Sequence, residues 1–426
     1  MTQELPKVAS PVPFKRFAEP VLGKMLQPGK IGPNDKLVPY MKAGHVQWSG
    51  LEIPEDLPLM WASPSDVAGL QPSKGDLLVC EGGEVGRAAL VQEALPEETI
   101  IQNSLHLVRE GALAYPPYLK YAIEHIAASG WLDLVCNKAT IAHLTVDKLR
   151  ALPIPYWTRP DQTRIANFLD EKTARIDALI AEKERLVEKL EEHWASVVLE
   201  ELGTSEAGGR IGWTNIPLKY VTVERCDGPF GSALTSAHYV DEGARVIRLQ
   251  NIRFGEFDST DAAYIDDDYF TRELTYHSVL EGDVLIAGLG DEKNFVGRAC
   301  VAPNLGSNAL VKADCFRFRV DTKRVLPKFV ALQLSATARR DGGLLSSGST
   351  RQRIPLTVTE CRLLCLPTLA EQIDIVERLE RRKREHSTLL HHTAEHINLL
   401  LEYRSSLISA AVTGKLEIAP KVFTQK

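Results

Sequence analysis

The sequence predicts an α+β protein in which two tandem copies of one mixed α/β domain are each followed by a long helix. Two observations carry this prediction: several short motifs occur twice in the same order, and each copy ends in a long stretch without Gly. The chain has 426 residues, more than one hydrophobic core usually serves. We therefore divide it into domain 1, a first helix, domain 2 and a second helix with a tail, at residues 1–157, 158–206, 207–366 and 367–426.

The repeated motifs keep nearly one spacing along the chain. "RPDQTRIANFLD" at 159–170 corresponds to "LAEQIDIVERLE" at 369–380, 210 residues later. Colinear matches at a slowly drifting offset indicate an internal duplication with small insertions. The other pairs, offset by 206 to 212 residues, are YMKAGHVQW with VIRLQNIRF, GDLLVC with GDVLIA, VGRAALV with VGRACVA, and LTV with LTV.

The first part of each copy contains short runs of apolar and β-branched residues between Gly, Pro and Asp. Examples are "GDLLVC" at 75–80, "RACVA" at 298–302 and "DCFRFRV" at 314–320. This punctuation is typical of strands and turns with a few helices. Each domain is therefore predicted to be mixed rather than all-helical.

Each copy ends in a predicted helix, at about 161–202 and about 369–413, with one apolar stripe at near-heptad spacing. Lys183 and Lys383 interrupt the two stripes. A stripe this narrow suits pairing with another helix. We expect the two helices to pair as an antiparallel coiled coil; packing of each helix on its own domain is the alternative. The stripe residues are Leu169, Ile176, Leu179, Leu186, Leu190 and Val197 in the first helix, and Val376, Leu379, Leu390, Ile397, Leu400 and Leu407 in the second.

The composition is typical of a soluble globular protein, with 44% hydrophobic and 25% charged residues. The N-terminus lacks the apolar run of a secretory signal, and no stretch approaches 18 consecutive apolar residues. We therefore expect a cytoplasmic protein without membrane contact. The seven cysteines include no C-x-x-C, and the closest pair, Cys361 and Cys365, is predicted to be two buried thiols.

Motifs of several enzyme classes are absent from the sequence. It has no G-x-x-x-x-G-K-[ST] loop, no G-x-G-x-x-G opening a helix and no Asn-Pro-Pro-aromatic run of an adenine methyltransferase. We expect no catalytic residue, metal site or cofactor in this chain. One alternative is a metal-dependent nuclease, since "GDVLIAGLGDEK" at 282–293 contains Asp283, Asp291, Glu292 and Lys293. The first copy lacks the second acid and the lysine at that spacing, which favours a loop.

Two similar domains at opposite ends of a paired-helix rod would resemble dimeric DNA readers. The chain resembles the specificity subunits of Type I restriction-modification systems, whose order is target-recognition domain, central helix, second target-recognition domain and distal helix. The first helix departs from the family by ending in "LEELGTSEAGG" rather than "AAVTGKL". The resemblance is carried by "PIPYWTRPDQTRIANFLDEKTARIDALI" at 153–180, "CLPTLAEQIDIVERLE" at 365–380, "EYRSSLISAAVTGKLEI" at 402–418, "DGPFGSAL" at 227–234 and "GDLLVCEGGEVGRAALV" at 75–91.

This resemblance implies a host-defence subunit that recognises a two-part, asymmetric sequence in double-stranded DNA. It implies methyltransferase subunits, usually two, docked on the helices, and ATP-driven restriction subunits that join them. S-adenosylmethionine, ATP and Mg²⁺ would belong to those partners, and this chain would hold no cofactor. A coiled-coil scaffold whose domains never touch DNA shares the duplication and the helices, and remains the alternative.

Candidate DNA-binding residues cluster at corresponding places in the two copies. The net charge is −6, but residues 158–206 hold seven basic and twelve acidic residues, so the domains can still present a basic face. Side chains of Arg, Lys, Asn, Gln, His and Ser match the donors and acceptors of base edges; the alternative for each cluster is a solvated turn, and for Trp48 a core position. The candidates are Lys42, His45, Gln47 and Trp48 in domain 1, and Arg248, Gln250, Asn251, Arg253, Lys293, Asn294, Ser349, Thr350, Arg351, Gln352 and Arg353 in domain 2.

Overall fold

The structure is a computed structural model, and its chain separates into two compact units. Unit 1 comprises Met1–Glu184 with Ala394–Lys426, and unit 2 comprises Arg185–Thr393. Each unit therefore contains one domain and one part of each long helix, whereas the predicted boundaries follow the order of the chain. The residues that the structure describes are 9–136, 142–204, 210, 212–291, 293–345 and 352–418.

Unit 1 is built around two small sheets with helices packed on them. The larger sheet is antiparallel with strand order β2-β10-β7-β8, and the smaller has order β6-β3-β9 with β3 parallel to β9. The strands are β1 (Pro11–Pro13), β2 (Val21–Leu22), β3 (Lys36–Met41), β4 (Val46–Gln47), β5 (Gly50–Leu51), β6 (Leu59–Ala62), β7 (Leu77–Cys80), β8 (Ala88–Leu90), β9 (Ile100–Ile101), β10 (Leu105–Val108) and β11 (Pro153–Pro155). The helices are α1 (Pro64–Leu70), α2 (Pro116–Ala128), α3 (Trp131–Val135), α4 (Val146–Ala151) and the start of α5 (Arg159–Glu201).

Unit 2 repeats this plan. Both of its main sheets have four strands. The larger, with the longer strands, has order β13-β21-β17-β19, and the smaller has order β14-β16-β15-β20 with β15 parallel to β20. The strands are β12 (Thr214–Pro217), β13 (Thr222–Cys226), β14 (Tyr239–Val240), β15 (Ala244–Ile247), β16 (Tyr264–Ile265), β17 (Val284–Ala287), β18 (Leu289–Gly290), β19 (Ala299–Val301), β20 (Ala309–Val311), β21 (Cys315–Val320), β22 (Gln352–Arg353) and β23 (Leu363–Leu366). The helices are α6 (Asp267–Tyr269), α7 (Pro327–Leu345), α8 (Leu356–Thr359) and α9 (Leu369–Thr413).

The two domains share their topology as well as their motifs. In each larger sheet the strand of the "GD" motif, β7 or β17, is central. It lies between the strand of the "VGRA" motif, β8 or β19, and the strand β10 or β21. In each domain the first strand pairs antiparallel with the strand just before the long helix, β1 with β11 and β12 with β23. This pairing closes the domain, and the predicted duplication of a mixed α/β domain is confirmed.

The long helices pair antiparallel within unit 1. Near the start of α5, Ile165 and Leu169 share a buried cluster with Ile408 and Val412 from the end of α9. Further along α5, Asp177 accepts a hydrogen bond of 2.8 Å from Arg404 Nε. As residue numbers rise along α5, those of its contacts on α9 fall, as the antiparallel prediction requires.

The helix segments of unit 2 pair in the same sense. Arg378 donates to Glu201 over 3.0 Å, while the His386 ring nitrogen lies 3.1 Å from the Leu190 carbonyl oxygen. The His386 ring also stacks on Trp194, with centroids 5.3 Å apart. Within the described residues, no helix is long and apolar enough to span a membrane.

The inward stripe of α5 differs from the predicted one at two positions. Leu179 and Leu186 are exposed, whereas Ile180 is buried and Val187 is half-buried. Four residues rotate an α-helix by about 40°, so a step of four from Ile176 reaches Ile180 without leaving the buried face. The predicted places of Leu179 and Leu186 in the stripe were wrong.

The seven cysteines are free thiols. Cys365 is buried as predicted, but Cys361 is exposed. Cys361 lies in the turn between α8 and β23, where the chain runs over the surface, so the prediction of a buried thiol was wrong for this residue.

Gln162 and Gln372, the matching residues of the repeated helix motif, make the same three hydrogen bonds. In unit 2, Gln372 Oε1 accepts from the Leu326 backbone N–H over 2.8 Å, and its Nε2 donates to two backbone carbonyls, of Arg324 at 3.3 Å and Pro367 at 3.1 Å. Both glutamines are buried.

The unit 1 glutamine uses corresponding backbone groups. Gln162 Oε1 accepts from the Tyr115 N–H over 3.2 Å, and its Nε2 donates to the carbonyls of Leu113 at 3.1 Å and Trp157 at 2.9 Å. We call each set the glutamine clamp. It joins the first turn of the long helix to the loop before α2 or α7 and to a residue one or two positions after the domain-closing strand.

Replacing the clamp residue should destabilise unit 2. Gln372→Ala leaves one N–H and two carbonyls without this partner, and a buried polar group left unsatisfied costs about 1–3 kcal/mol. We expect the urea unfolding midpoint to fall, while the exposed control Gln92→Ala leaves it unchanged. Equal midpoints for the two variants would show that the clamp adds no stability.

Candidate nucleic-acid interface

The first candidate cluster of each domain lies on a one-turn loop with the same structure in both copies. We call residues 42–48 and 248–254 the reading loops; they follow β3 and β15. The Lys42 backbone N–H donates to His45 Nδ1 at 3.4 Å, and the Arg248 backbone N–H donates to Asn251 Oδ1 at 2.8 Å. His45 and Asn251 are therefore equivalent residues that cap their loops from inside.

These two capping residues do not present their side chains to solvent. Asn251 is 0% exposed, and its Nδ2 donates to the carbonyls of Asp258 and Asp261, each at 2.8 Å. His45 is also buried, and desolvation together with nearby Lys42 lowers its pKa. In this structure both residues shape the reading loops, a different role from the base contact that the sequence suggested.

An arginine from each "VGRA" motif, half-buried Arg87 or buried Arg298, holds the reading loop of its own domain. Arg87 Nη2 donates to the Ala43 carbonyl at 3.0 Å, and Arg298 Nη2 donates to the equivalent Leu249 carbonyl at 2.8 Å. Arg298 Nε also donates to the Ile252 carbonyl at 2.7 Å. Neither arginine was among the candidates predicted from the sequence, although the identical Val-Gly-Arg triplet in both copies was a signal that could have found them.

Arg298 connects the second reading loop to a further candidate segment. Its Nη1 donates to the carbonyls of Leu289 and Asn294 at 3.1 Å and of Phe295 at 3.2 Å. Across this junction, Arg253 Nη1 donates to Asn294 Oδ1 over 3.0 Å, which brings together two candidates 41 residues apart.

The neighbouring turn carries Lys293, which is exposed. Asp291 accepts from the backbone N–H groups of Lys293 at 2.9 Å and Asn294 at 2.7 Å. These bonds give Asp291 a turn-forming role and lower the pKa of its carboxyl group. They leave the Lys293 ammonium on the surface, beside Asn294.

A third candidate segment joins the same edge of domain 2 through β22. Gln352 pairs with Gly290 and Arg353 with Leu289 in a short antiparallel ladder. Arg353 Nε donates to Asp314 at 2.8 Å, and its guanidinium lies 5.8 Å from the centroid of the Phe230 ring. Ser349, Thr350 and Arg351 lie outside the described residues.

The accessible cations of this edge are held by surface carboxylates. Arg248 pairs with Asp261, and Arg253 with Asp258 at 3.3 Å, while Gln250 is exposed. The Arg253–Asp258 contact is exposed. Exposed ion pairs contribute about 0–1 kcal/mol, so this one can exchange for a contact to phosphate at low cost. The edge can therefore offer positive charge to a polyanion.

Domain 1 presents a smaller set of the candidates. Lys42 is exposed, and Gln47 Nε2 donates to the Gly44 carbonyl at 3.2 Å. Trp48 is half-buried and donates its indole N–H to Glu84, so the alternative of a core tryptophan was wrong. Trp48 and Glu84 also line a cavity of about 500 Å³ within unit 1.

Asp283, the first acid of the nuclease alternative, is already engaged by other groups of the domain. Asp283 is buried, accepts from the Leu280 N–H at 2.8 Å, and forms two bonds of 2.9 Å with Arg319. Its equivalent Asp76 accepts from the Ser73 N–H in the same way, at 2.8 Å. Asp283 and its equivalent Asp76 therefore each close a turn in their own copy of the fold. Glu292 lies outside the described residues.

Asp227, the first residue of "DGPFGSAL", is a half-buried carboxylate beside this edge. Its Oδ1 accepts from the backbone N–H groups of Gly228 at 2.7 Å and Asp314 at 3.0 Å. Burial raises the pKa of this carboxyl to about 6 despite these two bonds, and the charge of Asp314 adds to the increase. Asp227 thus couples the loop after β13 to the turn that holds Arg353.

Comparison with solved structures places this architecture in a known group. A chain from a structure titled for complex assembly and conformational transition of the type I R-M system matches with a TM-score of 0.73 and 16% identity, over 97% of this chain and 100% of that chain. The HsdS subunit from Thermoanaerobacter tengcongensis matches with a TM-score of 0.55 and 17% identity, over 97% of this chain and 98% of that one. The chain has the fold of a Type I specificity subunit.

Sequence comparisons agree with this fold. The Type I restriction enzyme EcoKI specificity subunit of Escherichia coli (strain K12) is 21% identical over 336 residues, 75% of this chain and 68% of that protein. The StySPI specificity subunit of Salmonella potsdam is 24% identical over 209 residues, 49% of this chain and 44% of that protein. The second match thus spans less than half of its relative. No protein-family model matches the chain.

The buried arginine of the specificity-subunit fold gives a test of loop positioning. Arg298→Ala removes donors to five backbone carbonyls, and should destabilise unit 2 by roughly 3 kcal/mol or more. The stability of Arg298→Lys should lie between those of Arg298→Ala and wild type, because an ammonium lacks the planar fork of five donors. Urea unfolding measures the effect, with exposed Arg272→Ala as the control. A lysine variant as stable as wild type would show that the fork is dispensable.

A second prediction concerns Asp227 and pH. Its pKa is about 6 in the folded protein and near 3.8 when unperturbed, so its ionisation opposes folding increasingly as pH rises between these values. Asp227→Asn should therefore gain stability relative to wild type between about pH 4 and pH 7, measured as unfolding midpoints. Asp258→Asn is the control, because hydrogen bonds from Thr260 lower the pKa of Asp258. This variant should lose stability relative to wild type as pH rises. A pH-independent difference for Asp227→Asn would contradict the assignment.

Proposed function

We propose that this chain is the DNA-recognition subunit of a Type I restriction-modification complex. It binds double-stranded DNA through the two domains, each of which reads one half of a two-part, asymmetric sequence. The observation that carries this proposal is the pair of reading loops, which have the same backbone and internal caps but different side chains at their surfaces.

The differences between the loops support recognition of two unlike half-sites. Gly44 of the first loop corresponds to Gln250 of the second, and Gln47 corresponds to Arg253. The hydrogen-bonding groups of Gln and Arg match different base edges, adenine for the amide and guanine for the guanidinium. One framework can therefore carry two different sequence preferences.

The paired helices are the proposed docking surface for the other subunits. Their inward faces hold the two helices together, while Leu399 and Tyr403 of α9, one turn apart and so on one face, remain exposed. Adjacent exposed apolar side chains on one helix face form an apolar patch, and such patches favour contact with a partner protein. We assign this surface to methyltransferase subunits, two per chain, with restriction subunits joining the assembly.

In this proposal the chain contributes recognition and no chemistry. S-adenosylmethionine, ATP and Mg²⁺ are assigned to the methyltransferase and restriction subunits. Asp283, the residue best suited to hold a metal in the nuclease alternative, is instead occupied by Arg319. The resemblance of the whole chain to specificity subunits supports the same division of labour.

Duplex binding by the purified full chain tests the recognition role. Selection from a random duplex library should enrich one two-part sequence, and the affinity should fall steeply with salt because phosphate contacts release counterions. Binding without salt dependence, or no binding with intact helix pairing, would favour the scaffold alternative.

Exchanging one domain tests the division of the site. Replacing residues 207–366 with the corresponding segment of a relative should change one half of the selected sequence and leave the other half intact, since base contacts lie within each domain. Sequencing of selected duplexes gives the result directly, with the unexchanged chain as the control. A change in both halves would contradict independent reading by the two domains.

A further inference from the structure

Each domain carries a large apolar side chain that projects into solvent close to its reading loop. Met25 is 74% exposed in domain 1, and Phe230 is 52% exposed in domain 2. A single exposed apolar residue is ordinary on a protein surface. These two need explanation because they occupy equivalent positions in the two copies.

The strand register establishes their equivalence. Val21 lies opposite Leu107, and Cys226 lies opposite Arg317, in matching strand pairs β2–β10 and β13–β21. Two residues after Val21 and Cys226 come Gly23 and Gly228, and two residues further come Met25 and Phe230. The position is therefore the same in both domains, although "GKML" and "GPFG" share only the glycine.

The glycine fixes the course of this loop. A Cβ on Gly23 would overlap the Gln102 carbonyl oxygen, and a Cβ on Gly228 would overlap the Lys312 carbonyl group. The backbone N–H groups of Gln102 and Lys312 donate to the carbonyls of Met41 and Ile247, each at 2.9 Å, directly before the reading loops. Met25 and Phe230 thus follow a segment that is pressed against the base of the reading loop.

Cationic residues accompany both apolar side chains. Arg353 lies over the Phe230 ring at 5.8 Å, and its side chain is 49% exposed. Lys24, the neighbour of Met25 in the sequence, pairs with Asp66 at 2.9 Å. Apolar groups beside cations at a DNA-facing edge can contact bases while the cations approach the backbone phosphates.

We propose that Phe230 and Met25 are specificity-determining residues, each contacting a thymine methyl group in the half-site of its own domain. This inference rests on the proposed function. In the major groove the C5-methyl of thymine is the apolar group that a base edge displays, so an apolar side chain there selects thymine. Insertion between base pairs is disfavoured for Phe230, because the Arg353 guanidinium covers one face of its ring.

Replacing single thymines by deoxyuridine, which lacks only the methyl group, tests the proposal on the full chain. On its selected duplex, wild type should lose about fourfold in affinity at one thymine per half-site, the effect of exposing one methyl group. Phe230→Ala should be insensitive at the thymine in the half-site of domain 2 and remain sensitive in the other half. Met25→Ala should show the reverse. Phe230→Leu, which stays apolar, should keep part of the sensitivity.

Matched controls separate these effects from general damage. Tyr220→Ala and Leu134→Ala remove exposed apolar side chains elsewhere in the two units and should leave every deoxyuridine effect as in wild type. The salt slope should be unchanged in all variants, because no charge is lost.

The proposal is overturned if Phe230→Ala and wild type lose the same affinity at every deoxyuridine, or if a selected half-site contains no thymine. A uniform loss on all sequences, with unchanged deoxyuridine effects, would assign the side chain to non-specific contact and also overturn it. Failure of the proposed function looks different: wild type then selects no sequence at all.

Discussion

The rest of the molecule depends on the glutamine clamp. Each long helix begins beside a domain, and one buried amide, of Gln162 or Gln372, bonds to three backbone groups of that domain. A buried amide needs both its donor and its acceptor satisfied, so the clamp admits one arrangement of helix start and loop. It therefore fixes the direction in which the helix leaves the domain, and this direction sets the face that the helix offers to its partner.

A buried arginine performs a similar task at the candidate interface. The Arg298 guanidinium donates to five backbone carbonyls drawn from two loops, so the loops are positioned by main-chain contacts rather than by their own side chains. Surface residues such as Gln250 or Arg253 can then differ between domains without loss of loop structure. The proposed recognition of two different half-sites by two domains of one fold requires this separation, because a loop whose structure depended on its surface residues could not change them.

The two copies therefore share the framework of each loop but differ in several side chains. His45 and Asn251 differ in chemistry, yet each accepts a hydrogen bond from the backbone N–H three residues earlier and caps its loop. Met25 and Phe230 also differ, but each follows a glycine that a close backbone contact requires. The copies share hydrogen bonding and steric fit within the domain. The buried caps His45 and Asn251 differ in residue type but keep one role, whereas Met25 and Phe230 differ at a position exposed to solvent.

The sequence by itself determined the duplication, the mixed α/β domains and the two long helices, because hydrophobic period, glycine punctuation and repeated motifs are local properties of the chain. It also named candidate residues for an interface, which stay a prediction. Only the tertiary structure decided which residues there are accessible: Asn251 turned inward, Arg253 met Asn294 across 41 residues, and Arg298 proved to hold the loops. Burial and hydrogen-bond partners depend on contacts between distant segments, which residue type and spacing do not specify.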